Sequence, residues 1–187
     1  MHMPMLRRRW TTNDLEDLPD DGNRYEVVDG ELLVTPSPSA RHQIAAFELA
    51  VLLREYLQRE PVGYVFMAPA EIVFSATRAV QPDVLVTPLF DGRPPATFED
   101  VKRLVLTVEV LSPTTARADR VTKRVLFRDE AVPEYWIVDL DARALERSVP
   151  DDPRVEVLDD RVTWRPEGAT TPLVIDLRAY FGRVLGD

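Results

Sequence analysis

The sequence predicts a mixed α/β fold: a central sheet, one long helix ahead of it, a second helix in mid-chain, an N-terminal β-hairpin and additional antiparallel strands near the C-terminus. Three observations carry this. The runs Pro82 to Thr87 and Leu104 to Leu111 are short, apolar and β-rich. From Ser39 to Arg59, Ala45, Leu49, Leu52, Leu53 and Tyr56 recur at three- and four-residue intervals. A strand–helix–strand unit from Leu104 to Asp139 is long enough for a right-handed crossover between parallel strands.

In chain order, Thr11 to Leu18 reads as a short helix, with Thr, Asn or Asp available as a cap and acids in the first turn. Tyr25-Glu26-Val27-Val28 and Glu31-Leu32-Leu33-Val34 flank Asp29-Gly30, a two-residue hairpin turn of type I′. The helix from Ser39 to Arg59 follows. Tyr64 to Phe74 and Pro82 to Thr87 are β-rich runs separated by the more polar stretch from Ser75 to Gln81. Pro88 to Arg103 is an exposed connection with a short helical turn. Ser112-Pro113-Thr114-Thr115 starts a helix that runs to about Asp129. Glu134 to Asp139 is the next strand. Leu145 to Val149, Val155 to Leu158 and Arg161 to Trp164 are antiparallel strands between Asp/Pro turns, and Leu177 to Phe181 is a final helix. With 187 residues, 45% of them hydrophobic, the chain is read as one domain over 1–187, with 1–10 flexible.

Composition narrows the chemistry. The absence of cysteine excludes disulfides, thiolate zinc sites, iron–sulfur clusters and cysteine nucleophiles. His2 and His42 are the only imidazoles, so a protein-held metal would be bound mainly by oxygen, which favours Mg²⁺, Mn²⁺ or Ca²⁺. The net charge of −9 is the wrong sign for a protein that coats nucleic acid. The charge is uneven, however. Asp139 to Asp160 has eight acids and three bases, whereas Ala116 to Glu130 has five bases and three acids. No apolar run approaches the roughly 20 residues of a membrane span, and no apolar segment follows Arg7-Arg8-Arg9, so a cytoplasmic location away from membranes is expected. Seven glycines form neither a Gly-x-Gly-x-x-Gly nor a phosphate-binding loop.

Asp83 and Glu109 stand out because each lies at or within an apolar strand, and charge is seldom buried without a partner. If the two strands pair antiparallel about Ala96, Leu85 lies opposite Thr107 and Asp83 opposite Glu109, roughly 4.5–5.5 Å apart at Cβ. Two such carboxylates share a proton or a divalent cation, or each is held separately by hydrogen bonds. Alternation puts Thr107, Glu109 and Leu111 on one face. Leu111 therefore stands where a lysine would join the pair. Lys102 and Lys123 are the only lysines, and Asp119 and Lys123 are four apart on the following helix; a solvated pair there is the plainer reading.

Arg24 to Leu32, Ser39-Ala40-Arg41-His42-Gln43, Gln81-Pro82-Asp83-Val84, Val108 to Thr114, Asp119 with Lys123-Arg124, and Val132 to Asp139 resemble, in order, the successive blocks of the Uma-two family of restriction-endonuclease-like proteins. That family is similar to the PD-(D/E)XK nucleases. The resemblance implies a restriction-endonuclease-like fold and Mg²⁺- or Mn²⁺-dependent hydrolysis of DNA, with Asp83, Glu109 and the Val110 carbonyl as metal ligands. Lys123 would replace the lysine missing at Leu111 and assist the attacking water. Glu31, His42 and Asp119 would support the site, and the protein would be a homodimer. On the residues alone, Glu31 is a hairpin residue beside the turn and His42 a polar residue in the first turns of a helix.

Two rival classes remain. The acidic composition and displaced lysine also suit a catalytically inactive nuclease-fold protein acting as a dimeric interaction module. Paired carboxylates also serve glycoside hydrolysis, but that chemistry usually wants aromatic sugar platforms, and two of the three tryptophans, Trp10 and Trp164, lie towards the chain ends.

Overall fold

The computed structural model describes residues 8–187. Arg24–Val28 (β1) and Glu31–Thr35 (β2) form the expected hairpin, with Val28 opposite Glu31. Asp29 and Gly30 both have positive φ, 52° and 84°, as a type I′ turn requires. Thr12–Leu15 is a single tight helical turn, shorter than expected. The expected flexible stretch up to Arg7 lies outside the described residues, while Trp10 gives its N–H to Gly30 O at 2.9 Å.

Ala40–Arg59 (α1) starts where Ser39 caps it, the hydroxyl accepting the His42 N–H at 3.2 Å. The β-rich run after it is two strands in different sheets: Tyr64–Met67 (β3) and Ile72–Ser75 (β4) are separated by a cis Ala68–Pro69 peptide. The polar stretch that follows holds a further strand, Arg78–Val80 (β5), whose pairing between β1 and β4 outweighs its weak pattern. Val84–Thr87 (β6) and Leu106–Val110 (β7) are antiparallel. The connection between them has no helix but closes one i→i+3 turn, Val101 N–H to Phe98 O at 3.0 Å, and Phe90 and Arg93 bridge across Asp91-Gly92, both at positive φ.

Ala118–Lys123 is a wide, π-type helical turn that leads into Arg124–Asp129 (α2). Tyr135–Asp139 (β8) lies parallel to β7, as the crossover reading requires. Ala144–Val149 (β9) and Asp152–Leu158 (β10) continue that sheet antiparallel. Arg161–Trp164 (β11) leaves it to pair with Leu173–Asp176 (β12), a strand that was not expected, before Leu177–Leu185 (α3).

The six-stranded sheet has the order β10-β9-β8-β7-β6-β3, the four-stranded sheet β2-β1-β5-β4, and β11-β12 form a pair. Alternation along the central strands feeds two cores. Val84, Val86, Leu106, Val108, Val110, Trp136 and Val138 pack with α1, α3 and the β11–β12 pair. Leu85, Tyr135 and Ile137 face the other way, onto α2 and the four-stranded sheet. The site lies where the hairpin sheet, α1 and the wide turn meet the ends of β6 and β7. Among the described residues, no helix is long and apolar enough to cross a membrane.

Candidate active site

The register of β6 and β7 decides where the two strand acids meet. Val84 faces Val108 and Leu85 faces Thr107, so one step further Asp83 comes opposite Glu109, as the sequence predicts. Leu106, Val108 and Val110 fill the α1 core, which leaves Glu109 on the opposite face with Thr107. Asp83 sits just ahead of β6, and its Oδ2 accepts the Val110 N–H at 2.8 Å. That carboxylate therefore ties the start of one strand to the end of the other.

Four acids converge here. Asp83, Glu109, Asp119 and Glu26 are exposed by only 4%, 2%, 2% and 1%, and Lys123 by 3%. The Lys123 ammonium donates to Glu109 Oε1 at 2.8 Å. It also lies 2.8 Å from Glu26 Oε2 and 3.7 Å from Asp119 Oδ1. Neither of those two oxygens has a hydrogen-bond donor, so charge alone holds them to the lysine. Asp83 has its own cations: Arg24 Nη1 donates to Oδ1 at 2.9 Å, and His42 Nε2 lies 3.0 Å from Oδ2. Asp119 and Lys123 both come from the wide turn, a geometry found often at functional sites because it widens one face of a helix.

The electrostatics separate the two strand acids. Burial acts to raise the Asp83 carboxyl, but His42, Arg24 and the Val110 N–H outweigh it and hold the group well below the usual range. Burial raises Glu109 well above its ordinary value; Lys123 opposes this, while Asp83, Asp119 and Glu26 add to it. Asp119 is raised for the same first reason. Lys123 goes up despite burial because three carboxylates surround it, so it stays an ammonium at neutral pH.

Four buried carboxyl groups face two permanent cations, Lys123 and Arg24, so protons or a further cation must balance the charge. Together with the donor-free Asp119 oxygen, this fits a hard divalent cation in donor chemistry and in charge. No group of three His, Cys, Asp or Glu residues among those described is arranged to hold a metal by itself. The ligands would be Asp83 and Glu109, completed by backbone oxygen such as the Val110 carbonyl. Asp83, Glu109, Asp119 and Lys123 line a cleft of about 610 Å³, whose rim carries Arg41 and the hydroxyls of Ser37, Ser39, Ser112, Thr114 and Thr115.

The structure thus brings together Asp83, Glu109, Val110, Asp119, Lys123 and His42. Glu31 stands apart: it is exposed beside the hairpin turn, and it does not line the cleft. Leu111, at the position two beyond Glu109, packs against the α2 core. Arg24 and Glu26 were not expected as site residues. The signal was the one that singled out Glu109, an acid inside the apolar strand Tyr25-Glu26-Val27-Val28.

No curated protein matches the chain. A crystal structure of "a putative nuclease belonging to DUF820" from Anabaena variabilis ATCC 29413 superposes with a TM-score of 0.77, covering 93% of this chain and 98% of that one. At 18% identity, the likeness is one of fold. The Uma2 family model, described as "Putative restriction endonuclease", matches residues 12–177, a span that contains every site residue above. The chain belongs to the Uma2 family of restriction-endonuclease-like proteins.

Proposed function

We propose that this chain is an endonuclease that hydrolyses DNA phosphodiester bonds with Mg²⁺ or Mn²⁺ held by Asp83, Glu109 and the Val110 carbonyl. One observation carries the reading. Lys123, from another element, delivers its ammonium to within 2.8 Å of Glu109, so the cluster regains the cation missing at Leu111.

A divalent cation bound there would acidify the attacking water and offset charge developing on the phosphate oxygens. The chain's own groups do the rest. Arg24 and His42 keep Asp83 ionised and hold its carboxylate against the end of β7. Lys123, held charged, orients the attacking water by donating to it and does not take its proton. Arg41, exposed on the rim with no ion-pair partner among the described residues, is placed to contact a backbone phosphate.

Supercoiled plasmid and single-stranded DNA, incubated with Mg²⁺, Mn²⁺ or EDTA, test this. Cleavage is expected with either cation and not with EDTA. The Asp83→Ala/Glu109→Ala protein should lose more than about a hundredfold in rate, beyond the 10–100-fold typical of residues that merely support metal ligands. Folded wild-type protein that cuts neither substrate with either cation would refute the proposal and favour the interaction-module reading.

A further inference from the structure

Two side chains of the hairpin sheet reach into the site from the same face of β1, at alternate positions: Arg24 and Glu26. Both grip Gln81. Its carbonyl accepts Arg24 Nη1 at 2.5 Å, and its N–H donates to Glu26 Oε1 at 2.8 Å. Gln81 lies between β5 and β6, outside either strand, and Pro82 after it has no N–H to give. The position of Asp83, two residues on, is therefore set by side chains of another sheet.

Each of these two side chains makes a second contact inside the cluster. Arg24 also donates to Asp83 itself. Glu26 turns its other oxygen, Oε2, to the Lys123 ammonium at 2.8 Å, on a side chain with no exposed surface. With Glu109 Oε1 also at 2.8 Å, two carboxylates from different sheets fix the lysine nitrogen. One buried carboxylate thus connects the backbone that carries Asp83 to the head of Lys123. An acid at an otherwise apolar strand position costs desolvation energy that a leucine would not, so packing alone does not account for it.

We infer that Glu26 is a positioning residue, which sets Lys123 and Asp83 at their working separation by holding one with each carboxylate oxygen. The inference rests on the nuclease reading of those two residues. Glu26→Gln keeps an acceptor for the Gln81 N–H but loses the charge that holds Lys123. Glu26→Asp keeps the charge but is one methylene too short to hold both partners.

The test uses the intact protein labelled with ¹⁵N-lysine, whose only two side-chain signals come from Lys102 and Lys123. At one fixed pH, the buried Lys123 ammonium should give a slowly exchanging resonance. In both variants it should exchange at least about fivefold faster, while the Lys102 signal stays unchanged. On plasmid DNA with Mn²⁺, kcat should fall about 10–100-fold in both variants with KM within about twofold, the range for residues that orient others. A change in only one of the two readouts, or in neither, overturns the inference. If Glu26→Gln does not fold, Glu26→Asp decides by the same criteria. If the wild-type protein cuts nothing, the proposed function fails on its own, and the lysine resonance alone decides whether Glu26 positions Lys123.

Discussion

Replacing Lys123 with methionine is expected to destabilise the fold by about 3–5 kcal/mol and to abolish DNA cleavage. Methionine matches the lysine stem in length and polarity, so the packing of the wide turn is largely kept and the lost charge dominates. What remains is Glu26, Glu109 and Asp119, all buried, with no cation between them. Removing one partner of a buried ionic group costs about this much because the other members are left uncompensated. A urea titration would read it as a midpoint lowered by about 2 M, for a slope near 2 kcal/mol/M. Lys102→Met is the control. Lys102 is exposed and makes one long contact, 3.5 Å to Val73 O, so its change should stay within about 0.5 kcal/mol. If Lys123→Met were as stable as the control, the cluster would not be the charge-dependent arrangement described above.

The second large effect is on the pH dependence of stability without divalent cation. Glu109 and Asp119 have folded-state values above those of the unfolded chain, about 3.9 for Asp and 4.3 for Glu. The folded protein then binds more protons than the unfolded one above that range. Their stabilising contribution is complete below it and is lost as pH rises through the folded values. Asp83 has the opposite sign: its folded value is depressed, so its contribution is present above about 3.9 and lost as pH falls towards the folded value. In EDTA, wild-type stability relative to Glu109→Gln should therefore fall as pH rises above about 4.3, with a limiting slope of about 1.4 kcal/mol per pH unit for one proton. Chemical unfolding at several pH values measures this, because ionisations outside the buried cluster cancel in the difference. Parallel pH curves for the two proteins would show that Glu109 is not raised by its surroundings.

Much of this was legible in the sequence, and the parts that were not have identifiable causes. The hairpin showed because Asp-Gly is a specific turn chemistry, and α1 because its apolar spacing persists over about three turns, Ala45 to Tyr56. The Asp83–Glu109 opposition followed from strand register, which the two apolar faces leave little room to slip. Strands β5 and β12 were missed because three or four residues of alternating pattern carry little information by themselves. β5 pairs with β1, distant in sequence, and with neighbouring β4 only through a register shift, while β12 reaches β11 across a turn-rich segment. The β3–β4 break was hidden because both halves are equally β-prone, and only tertiary pairing assigns them to different sheets. Lys123 was singled out by its rarity, but its three carboxylate neighbours come from β1, β7 and the wide turn. Glu26 was overlooked because an acid in a hairpin is ordinarily solvent-facing, and its partners Gln81 and Lys123 are distant in sequence.

The central claim is that Asp83 and Glu109 share a divalent cation. Calorimetric titration of Mn²⁺ into the folded, EDTA-treated protein tests it without depending on turnover. Saturable binding at one site, abolished in folded Asp83→Ala/Glu109→Ala protein, is the predicted result. No binding by the wild-type protein, or equal binding by the double variant, would contradict it.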